Sequence, residues 1–343
     1  MRVPPLYNLQ HFRGCHYLFP TALKVKREVL RAFGQKYGRA VNDEFFAAHL
    51  QKPMREVLRE STPDVIICFQ NASAKMLLCD LHVDIPVIIM SHGDPVDLFH
   101  SHPRKELAAF ERCAVFQVLL PGFAARVQKY IPNVRIVSIG NVVPQYEEQA
   151  DLRREKEKYK IVFIGRMVRN HKRPHLLIEA FIKTAAEFPD WTLELWGAED
   201  NKRYQKDLQA MIDAAGLAER ILFCGTTTNV PAVLVDADLY VMPSAYEGFG
   251  LSLAEGMSMG LPVIGYQNCA AVNELIHDGE NGFLVEDGVD ALAEKMAALM
   301  CDRNLRVRMG AAARESMRVY APEIIWAQWQ KLMESVISGT VSE

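Results

Sequence analysis

Two glutamates and a glycine-rich turn lie within nine residues of one another in the segment 243–256. Glu247 opens a Gly-Phe-Gly turn, and Glu255 follows in the next predicted element. The apolar residues 239–242 predict a buried strand before the turn, and residues 251–259 predict a helix after it. The glycines let backbone N–H groups approach a ligand, and a helix N-terminus offers unpaired donors that suit a phosphate. Because both carboxylates can accept hydrogen bonds from hydroxyl groups, the segment predicts a nucleotide-sugar site.

The same segment also has a purely structural interpretation. A single strand–Gly-x-Gly–helix unit is common, and the helix dipole alone stabilises a glutamate in the first turns of a helix. The segment is not the dinucleotide fingerprint, because Leu253 stands where the third glycine would be. The spacing by itself leaves both interpretations open.

Two cations follow a second predicted strand. Gly165 and Arg166 come directly after the apolar residues 161–164, and Lys172 lies six positions beyond Arg166. In parallel α/β sheets ligands bind at the carboxyl ends of the strands, which is where the segment 243–256 also lies. Arginine and lysine at this edge suit a diphosphate, because they make charge-assisted hydrogen bonds with its oxygens.

The remaining elements predict an α/β protein with parallel sheets, because short apolar runs alternate with helical patterns. At 343 residues the chain suits about two domains. The predicted strands are 65–69, 87–90, 115–120 and 135–139 in the first half, and 161–164, 192–196, 221–224, 239–242 and 263–265 in the second. Residues 145–160 hold ten charged side chains and predict a linker or an exposed first turn before the second sheet. Residues 324–337 predict an amphipathic helix whose apolar face includes Trp326, Trp329 and Leu332. We expect a first domain over 1–150, a second over 151–320, and a C-terminal helix over 321–343 that packs back toward the first.

Charge is distributed unevenly along the chain. Residues 1–60 contain eleven basic and five acidic residues and so carry +6, which leaves −9 for the rest because the total is −3. The overall charge gives no reason to expect nucleic acid as a partner. The basic segment predicts either contact with anionic lipid or a phosphorylated acceptor, or simply a solvated helical face.

The seven cysteines are odd in number and include no Cys-x-x-Cys pair, which favours a reducing compartment. Residues 1–8 contain no apolar signal core, and no run reaches the ~18 apolar residues of a membrane span. We therefore expect a cytoplasmic protein, with peripheral contact at the inner face of the membrane through the basic segment.

Taken together, these motifs resemble glycosyltransferase family 4, the retaining nucleotide-sugar enzymes of the GT-B fold. The resemblance covers roughly residues 62–337 and is strongest over 160–290. The residues that match the family are Phe163-Ile164-Gly165-Arg166 with Lys172, the pair Glu247 and Glu255, and the segments 260–264, 274–276 and 281–285. It implies two Rossmann-like domains that face a cleft.

The resemblance also implies a role for each matching residue. Arg166 and Lys172 would hold the donor diphosphate, Glu247 the donor sugar and Glu255 the ribose. His92, after the strand 87–90, would face the reacting sugar. The implied catalytic set is His92, Arg166, Lys172 and Glu247. The implied donor-binding set is Gly165, Gly197, Gly225, Thr226, Thr227, Glu247, Gly248, Phe249, Gly250, Leu251, Ser252 and Glu255.

The implied activity is transfer of a sugar, with retention, from a UDP-sugar to a glycan or lipid-linked acceptor in cell-surface polysaccharide or glycoconjugate synthesis. No metal and no cofactor are expected. Asp236-Ala237-Asp238 matches the Asp-x-Asp pattern of metal-binding sites. It precedes the strand 239–242, however, and so predicts a turn at the edge of the sheet opposite the ligand-binding edge. His92, His100 and His102 lack the regular spacing of a zinc site.

One departure keeps two other functions open. Family members begin with a strand and a Gly-rich turn, and residues 1–14 show neither. We therefore expect a first domain whose first strand–helix unit is missing or altered. A nucleotide-sugar epimerase and a catalytically silent partner subunit remain the alternative functions.

Overall fold

A computed structural model describes residues 19–339. The expected alteration of the first strand–helix unit falls mainly on residues 1–18, which lie outside the described residues. The described strands are β1 (Ile66–Cys68), β2 (Val87–Met90), β3 (Val115–Val118), β4 (Ile136–Ser138), β5 (Tyr159–Ile164), β6 (Trp191–Trp196), β7 (Ile221–Gly225), β8 (Leu239–Met242), β9 (Val263–Tyr266) and β10 (Gly282–Val285).

In the described part of the chain, two helices precede the first strand, three follow the last, and most of the others connect consecutive strands. The helices are α1 (Thr21–Ala32), α2 (Gln35–Ser61), α3 (Asn71–Lys75), α4 (Pro95–Ser101), α5 (Arg104–Phe110), α6 (Pro121–Gln128), α7 (Pro174–Thr184), α8 (Lys202–Ala214), α9 (Val230–Val235), α10 (Leu251–Ser258), α11 (Val272–Leu275), α12 (Val289–Cys301), α13 (Arg303–Ser316) and α14 (Pro322–Ser338). A π-helical turn, Met76–Asp80, follows α3, and a 3₁₀ turn, Met317–Tyr320, follows α13. Within 19–339 none of these helices has both the length and the apolar character needed to cross a bilayer.

The described chain forms two compact units. The first contains residues 19–90, 96–116 and 128–135, and the second contains residues 91–95, 117–127 and 136–339. The predicted domain boundary at residue 150 stays a prediction, as does the packing of the C-terminal helix against the first domain.

Both sheets confirm the predicted α/β class. One has four strands in the order β1-β2-β3-β4, and the other has six in the order β10-β9-β8-β5-β6-β7. Each neighbouring pair of the six-stranded sheet is parallel, so its strands end at one common edge. The four residues of β8 are all buried, as expected for a parallel strand covered on both faces.

All nine predicted strands are present, with ends that differ by a few residues. The strand that the pattern missed is β10. Gly282, its first residue, lies so close to β9 that an added Cβ would sit 2.4 Å from the carbonyl oxygen of Val263. This short strand begins with glycine and contains a single β-branched residue, Val285, so the strand pattern is weak.

The predicted amphipathic helix corresponds to α14, but its buried face differs from the predicted one. Ile325, Trp329 and Leu332 are buried, whereas Trp326 is 63% exposed. The i, i+3, i+4 spacing identified the helix correctly and placed Trp326 on the wrong face, because two tryptophans three residues apart both fit an apolar stripe.

A cluster of ionisable side chains lies within the first unit. Asp43 of α2 lies beside Glu106 of α5, and burial together with this second carboxyl raises the pKa of Asp43 to about 8. The nearby charges of Lys75 and His102 lower the same pKa and so limit the increase. His102 contacts Glu106 through Nδ1 and Arg39 through Nε2. The folded unit therefore favours the protonated form of Asp43.

This cluster predicts a specific pH dependence of stability. Because the folded pKa of Asp43 lies above its usual value of 3.8, its stabilising contribution is complete below about pH 4 and is lost as the pH rises to about 8. Asp43→Asn, which has no proton to lose, should therefore gain stability relative to the wild type between pH 5 and pH 8. Urea denaturation across this range measures the difference. Asp290→Asn, at a carboxylate whose side chain is 88% exposed, is the control, and a pH-independent effect of Asp43→Asn would contradict the prediction.

Candidate active site

Four loops of the second unit carry the candidate site residues. Gly165 follows β5, Gly197 follows β6, Gly225 ends β7, and Glu247 lies in the loop after β8. Because these strands are parallel neighbours, the four loops lie at their common carboxyl edge. This is the edge at which parallel α/β sheets bind ligands.

Hydrogen bonds and an ion pair hold the loop after β8 against the loop after β5. The backbone N–H of Ala245 donates to the carbonyl oxygen of His171 at 2.8 Å. Arg173 donates through Nε to the first carbonyl oxygen after β8 at 2.9 Å. Lys172 Nζ lies 2.6 Å from Glu247 Oε1. The structure therefore brings two of the implied catalytic residues, Lys172 and Glu247, into direct contact.

The Lys172–Glu247 pair is shielded from solvent, with side-chain exposures of 14% and 8%. His171 Nε2 donates to the carbonyl oxygen of Tyr246 and lies 3.8 Å from the same Glu247 oxygen. Burial lowers the pKa of His171, and the charges of Lys172 and Arg166 add to that effect while Glu247 opposes it. A neutral imidazole leaves Lys172 as the cation beside Glu247. Together the pair offers an ammonium for a phosphate oxygen and a carboxylate for a hydroxyl group.

Gly165 and Gly197 make the closest backbone approach at this edge. Gly197 has a φ of +149°, and a Cβ there would lie 1.9 Å from the carbonyl oxygen of Gly165. The backbone N–H of Gly197 donates to the carbonyl oxygen of Gly225 at 2.6 Å, and the backbone N–H of Gly165 donates to the carbonyl oxygen of Trp196 at 2.8 Å. Only glycine fits at position 197, so the open backbone there follows directly from the residue type.

Helix α10 begins at the same edge, directly after Gly250. Gly250 has a φ of +85°, and no side chain caps the helix N-terminus. The hydroxyl of Ser252 donates to the carbonyl oxygen of Ile164 at 2.9 Å. The N-terminus of α10 therefore offers backbone N–H groups near the end of β5, while the Ser252 hydroxyl is already engaged.

Other residues of the implied donor set contribute in different ways. The side chain of Phe249 is buried, with its ring 5.1 Å from that of Tyr320, so this residue acts in packing. Glu255 lies in the second turn of α10, where burial raises the pKa of its carboxyl. Leu251 is 45% exposed at the start of the helix.

The structure does not bring Arg166 into the Lys172–Glu247 contact. Its side chain is 61% exposed and lies 3.7 Å from Asp200. Thr226 is exposed, and Thr227 accepts a hydrogen bond from the backbone N–H of Asn229 at the start of α9. These three side chains lie on loops after β5 and β7, beside the glycine contacts.

His92 lies against the Glu247 loop through its backbone. A Cβ added to Gly248 would lie 2.3 Å from the carbonyl oxygen of His92. Partial burial lowers the pKa of the His92 imidazole, which favours its neutral form. Gly248 therefore permits a close approach of these two segments within the second unit.

Three contacts near the candidate site were not predicted from the sequence. The ring of Tyr246 stacks on that of His171, with 4.2 Å between ring centroids and an interplanar angle of 4°. Glu274 accepts a hydrogen bond from the N–H of Gly122 at 2.8 Å. A further ion pair, 2.9 Å long, joins Arg126 and Asp94. Two features of the sequence could have indicated these contacts: Tyr246 directly precedes Glu247, and Glu274 belongs to the motif 274–276.

The Asp-x-Asp pattern lies away from the candidate site, and the histidine pattern is divided between the site and the first unit. Asp238 precedes β8, at the opposite edge from the candidate site, and pairs with Lys156 at 3.0 Å. Asp236 pairs with Lys160 at 2.6 Å. His102 belongs to the Asp43 cluster of the first unit. Within the described residues 19–339 no group of three or more His, Cys, Asp or Glu side chains is arranged to hold a metal ion.

Comparison with known proteins places this arrangement in a family. Residues 144–316 match the family model "Glycosyl transferases group 1". An N-acetyl-alpha-D-glucosaminyl L-malate synthase from Bacillus anthracis is 30% identical over 266 residues, which cover 74% of this chain and 68% of that protein. An exopolysaccharide phosphotransferase from Streptomyces coelicolor is 29% identical over 207 residues, 60% of this chain but only 21% of that protein. The chain thus spans about a fifth of this longer relative.

The solved structure of an S. aureus TarM mutant in complex with fondaparinux, alpha-GlcNAc-glycerol and UDP is similar in fold, with a TM-score of 0.68. The match is 24% identical and covers 79% of this chain and 55% of that one. The fold likeness confirms the predicted GT-B class. The matched family residues contain β5 to β10, the Lys172–Glu247 pair and α10, and the chain belongs to the group 1 glycosyltransferases.

Proposed function

We propose that the chain is a retaining glycosyltransferase that moves a hexosyl group from a UDP-sugar to a glycan or lipid-linked acceptor. The observation that carries the proposal is the shielded Lys172–Glu247 pair at the edge where α10 begins. An ammonium and a helix N-terminus at one edge suit the diphosphate of a nucleotide-sugar, and a carboxylate beside them suits the hydroxyl groups of its sugar. UDP is present in the similar TarM structure, which supports uracil as the base of the donor.

In this proposal each group has one task. Lys172 turns from Glu247 to the diphosphate when the donor binds, and Arg166 adds a second cation from its exposed loop. Glu247 then holds the donor sugar hydroxyls, and Glu255 holds the ribose. Backbone N–H groups at the start of α10 meet phosphate or sugar oxygens.

The reaction that fits these tasks needs no protein nucleophile. The bond between the anomeric carbon and the diphosphate oxygen breaks, and the acceptor oxygen bonds to the same face of that carbon. The acceptor proton passes to the departing phosphate, and UDP leaves. The protein supplies orientation and charge stabilisation rather than a covalent intermediate, and we propose that it does so without a metal ion.

Titration with UDP tests the donor part of the proposal. We expect UDP to bind equally well with and without EDTA, and Lys172→Ala to weaken binding about 10- to 100-fold, since a charge-assisted hydrogen bond contributes about 1.5–3 kcal/mol. Lys183→Ala is the control, because Lys183 also pairs with a carboxylate but is 52% exposed and lies on α7. Absence of binding to any nucleoside diphosphate would refute the proposal.

We also propose a cytoplasmic location with peripheral membrane contact through the basic segment. The six cysteines of the described part of the chain are free thiols, which suits a reducing compartment. On α1 the apolar residues Val25, Val29 and Phe33 are 59%, 55% and 76% exposed, beside exposed lysines. Such a face suits an anionic lipid surface. Co-sedimentation with phosphatidylglycerol vesicles, but not with phosphatidylcholine vesicles, is the expected result, and equal behaviour with both would refute it.

A further inference from the structure

A cavity of about 520 Å³ in the second unit borders the candidate site and has no role in donor binding as proposed above. Nine residues line it, and those with polar groups of interest are Asp94, Arg126, Tyr246, Asn268, Asn273 and Glu274. Its volume lies within the range of small-molecule sites, roughly 300–1,000 Å³.

Two residues that line the cavity are close in sequence to the residues proposed to face the donor sugar, Glu247 and His92. Tyr246 immediately precedes Glu247, and Asp94 follows His92 by two positions. The Tyr246 ring stacks on His171, whose Nε2 lies 3.8 Å from Glu247 Oε1, so the aromatic wall of the cavity is one side chain away from the carboxylate proposed to hold the donor sugar. This is where an acceptor must lie for its hydroxyl group to reach the anomeric carbon.

Tyr246 offers this cavity a flat apolar surface. One face of its ring is covered by His171, and yet the residue is 51% exposed. The stacking fixes the ring orientation, so the uncovered face needs little further ordering when a ligand binds. An aromatic face of this kind packs well against the C–H face of a sugar ring, while the phenol hydroxyl supplies a polar contact.

The polar groups of the cavity favour a ligand that donates hydrogen bonds. Asn268 donates its amide N–H to Asp287 at 3.2 Å, and Asn273 donates to the carbonyl oxygen of Gln267 at 3.0 Å. Each of these amides still presents a carbonyl oxygen, which is an acceptor. Glu274 adds carboxylate oxygens, so the lining is rich in acceptors that hydroxyl groups can satisfy.

The charges of the cavity disfavour an anion. Arg126 is the one cation among its lining residues, and both oxygens of Asp94 already engage it, at 3.0 and 2.9 Å. Glu274 is a second carboxylate with no lining cation of its own. An anionic ligand would therefore meet two carboxylates and one arginine that is already paired.

We propose that this cavity is the acceptor subsite and that it binds a neutral sugar ring stacked on Tyr246, rather than a phosphate or carboxylate group. The proposal rests on the proposed glycosyltransferase function and specifies the acceptor class. Hydroxyl groups of the acceptor donate to Asn268, Asn273 and Glu274, and the hydroxyl that reacts points toward Glu247.

The test uses two separate measurements on the full chain. The first is UDP affinity, which reports the donor site. The second is UDP release from UDP-glucose, UDP-galactose and UDP-N-acetylglucosamine, alone and with added acceptors. The neutral acceptors are methyl glycosides of glucose, galactose and N-acetylglucosamine, and the anionic ones are L-malate and glycerol 3-phosphate.

We expect neutral glycosides, and not the two anions, to accelerate UDP release. Tyr246→Ala should raise the acceptor KM at least tenfold with a much smaller change in UDP affinity, and Tyr246→Phe should stay within about threefold of the wild type because it keeps the ring. Trp326→Ala, at an exposed aromatic residue outside the cavity, should change neither quantity.

Three results would overturn the proposal. They are acceleration by the anions alone, a Tyr246→Ala variant with an unchanged acceptor KM, and UDP binding without acceleration by any neutral glycoside. If UDP itself does not bind, the proposed function fails at the donor site and the acceptor proposal falls with it. The affinity measurement therefore distinguishes the two failures.

Discussion

Glu247→Ala should lower the turnover of glycosyl transfer by about 10²–10³-fold while the protein remains folded. In the proposed mechanism the carboxylate orients the donor sugar most strongly in the transition state, and losses of this size follow removal of one such contact. The variant also leaves Lys172, 14% exposed, without its partner, so we expect an additional loss of about 1–3 kcal/mol in the free energy of unfolding. Turnover per folded molecule and urea denaturation separate the two effects.

Glu255→Ala provides the internal comparison. Ribose contacts are similar in the ground state and the transition state, so this change should mainly weaken UDP binding and raise the donor KM. Glu294→Ala, at a glutamate 72% exposed on α12, is the control for removal of a surface charge. Equal and small effects of Glu247→Ala and Glu255→Ala would favour the structural interpretation of the segment 243–256.

Gly197→Ala should destabilise the second unit by about 3–5 kcal/mol. The added methyl group would lie 1.9 Å from the carbonyl oxygen of Gly165, and the φ of +149° is strained for any residue with a Cβ. Backbone strain and overpacking each contribute about 1–3 kcal/mol, and neither neighbour is a flexible side chain that could move aside.

Gly216→Ala is the matched control for this prediction. Gly216 also has a positive φ, +67°, but nothing lies within 4 Å of the position of its Cβ. Gly216→Ala should therefore lower the free energy of unfolding by only about 1–2 kcal/mol, the cost of a left-handed backbone conformation for a residue with a Cβ. Urea denaturation of both variants measures the difference, and equal losses would show that the close approach of the loops after β5 and β6 is absent in solution.

The sequence predicts the strands and the site edge well, because both depend on local patterns. A continuous apolar run such as 239–242 predicts a strand that is buried on both faces, and residues that follow parallel strands must lie at one edge. Gly165 and the Glu247 loop follow from this rule, whereas Gly197 and Gly225 were implied by the family resemblance.

Contacts between distant loops could not be predicted in the same way. Gly122 and Glu274 are 152 positions apart, and their hydrogen bond depends on how two loops are placed by the elements around them. The stacking of Tyr246 on His171 likewise depends on how the loop after β8 is positioned relative to the loop after β5. Both contacts belong to the cavity or its border, so the proposal of an acceptor subsite there depends on the structure and not on the sequence pattern.

Product analysis of the wild-type protein distinguishes a retaining transferase from an epimerase and from an inactive subunit. The protein is incubated with each of the three UDP-sugars and a neutral methyl glycoside in the presence of EDTA, and the anomeric protons are followed by NMR. We expect a new glycoside with the anomeric configuration of the donor sugar, formed in an amount equal to the free UDP released. An inverted glycoside, an epimerised UDP-sugar, or UDP-sugars that remain unchanged would contradict this expectation.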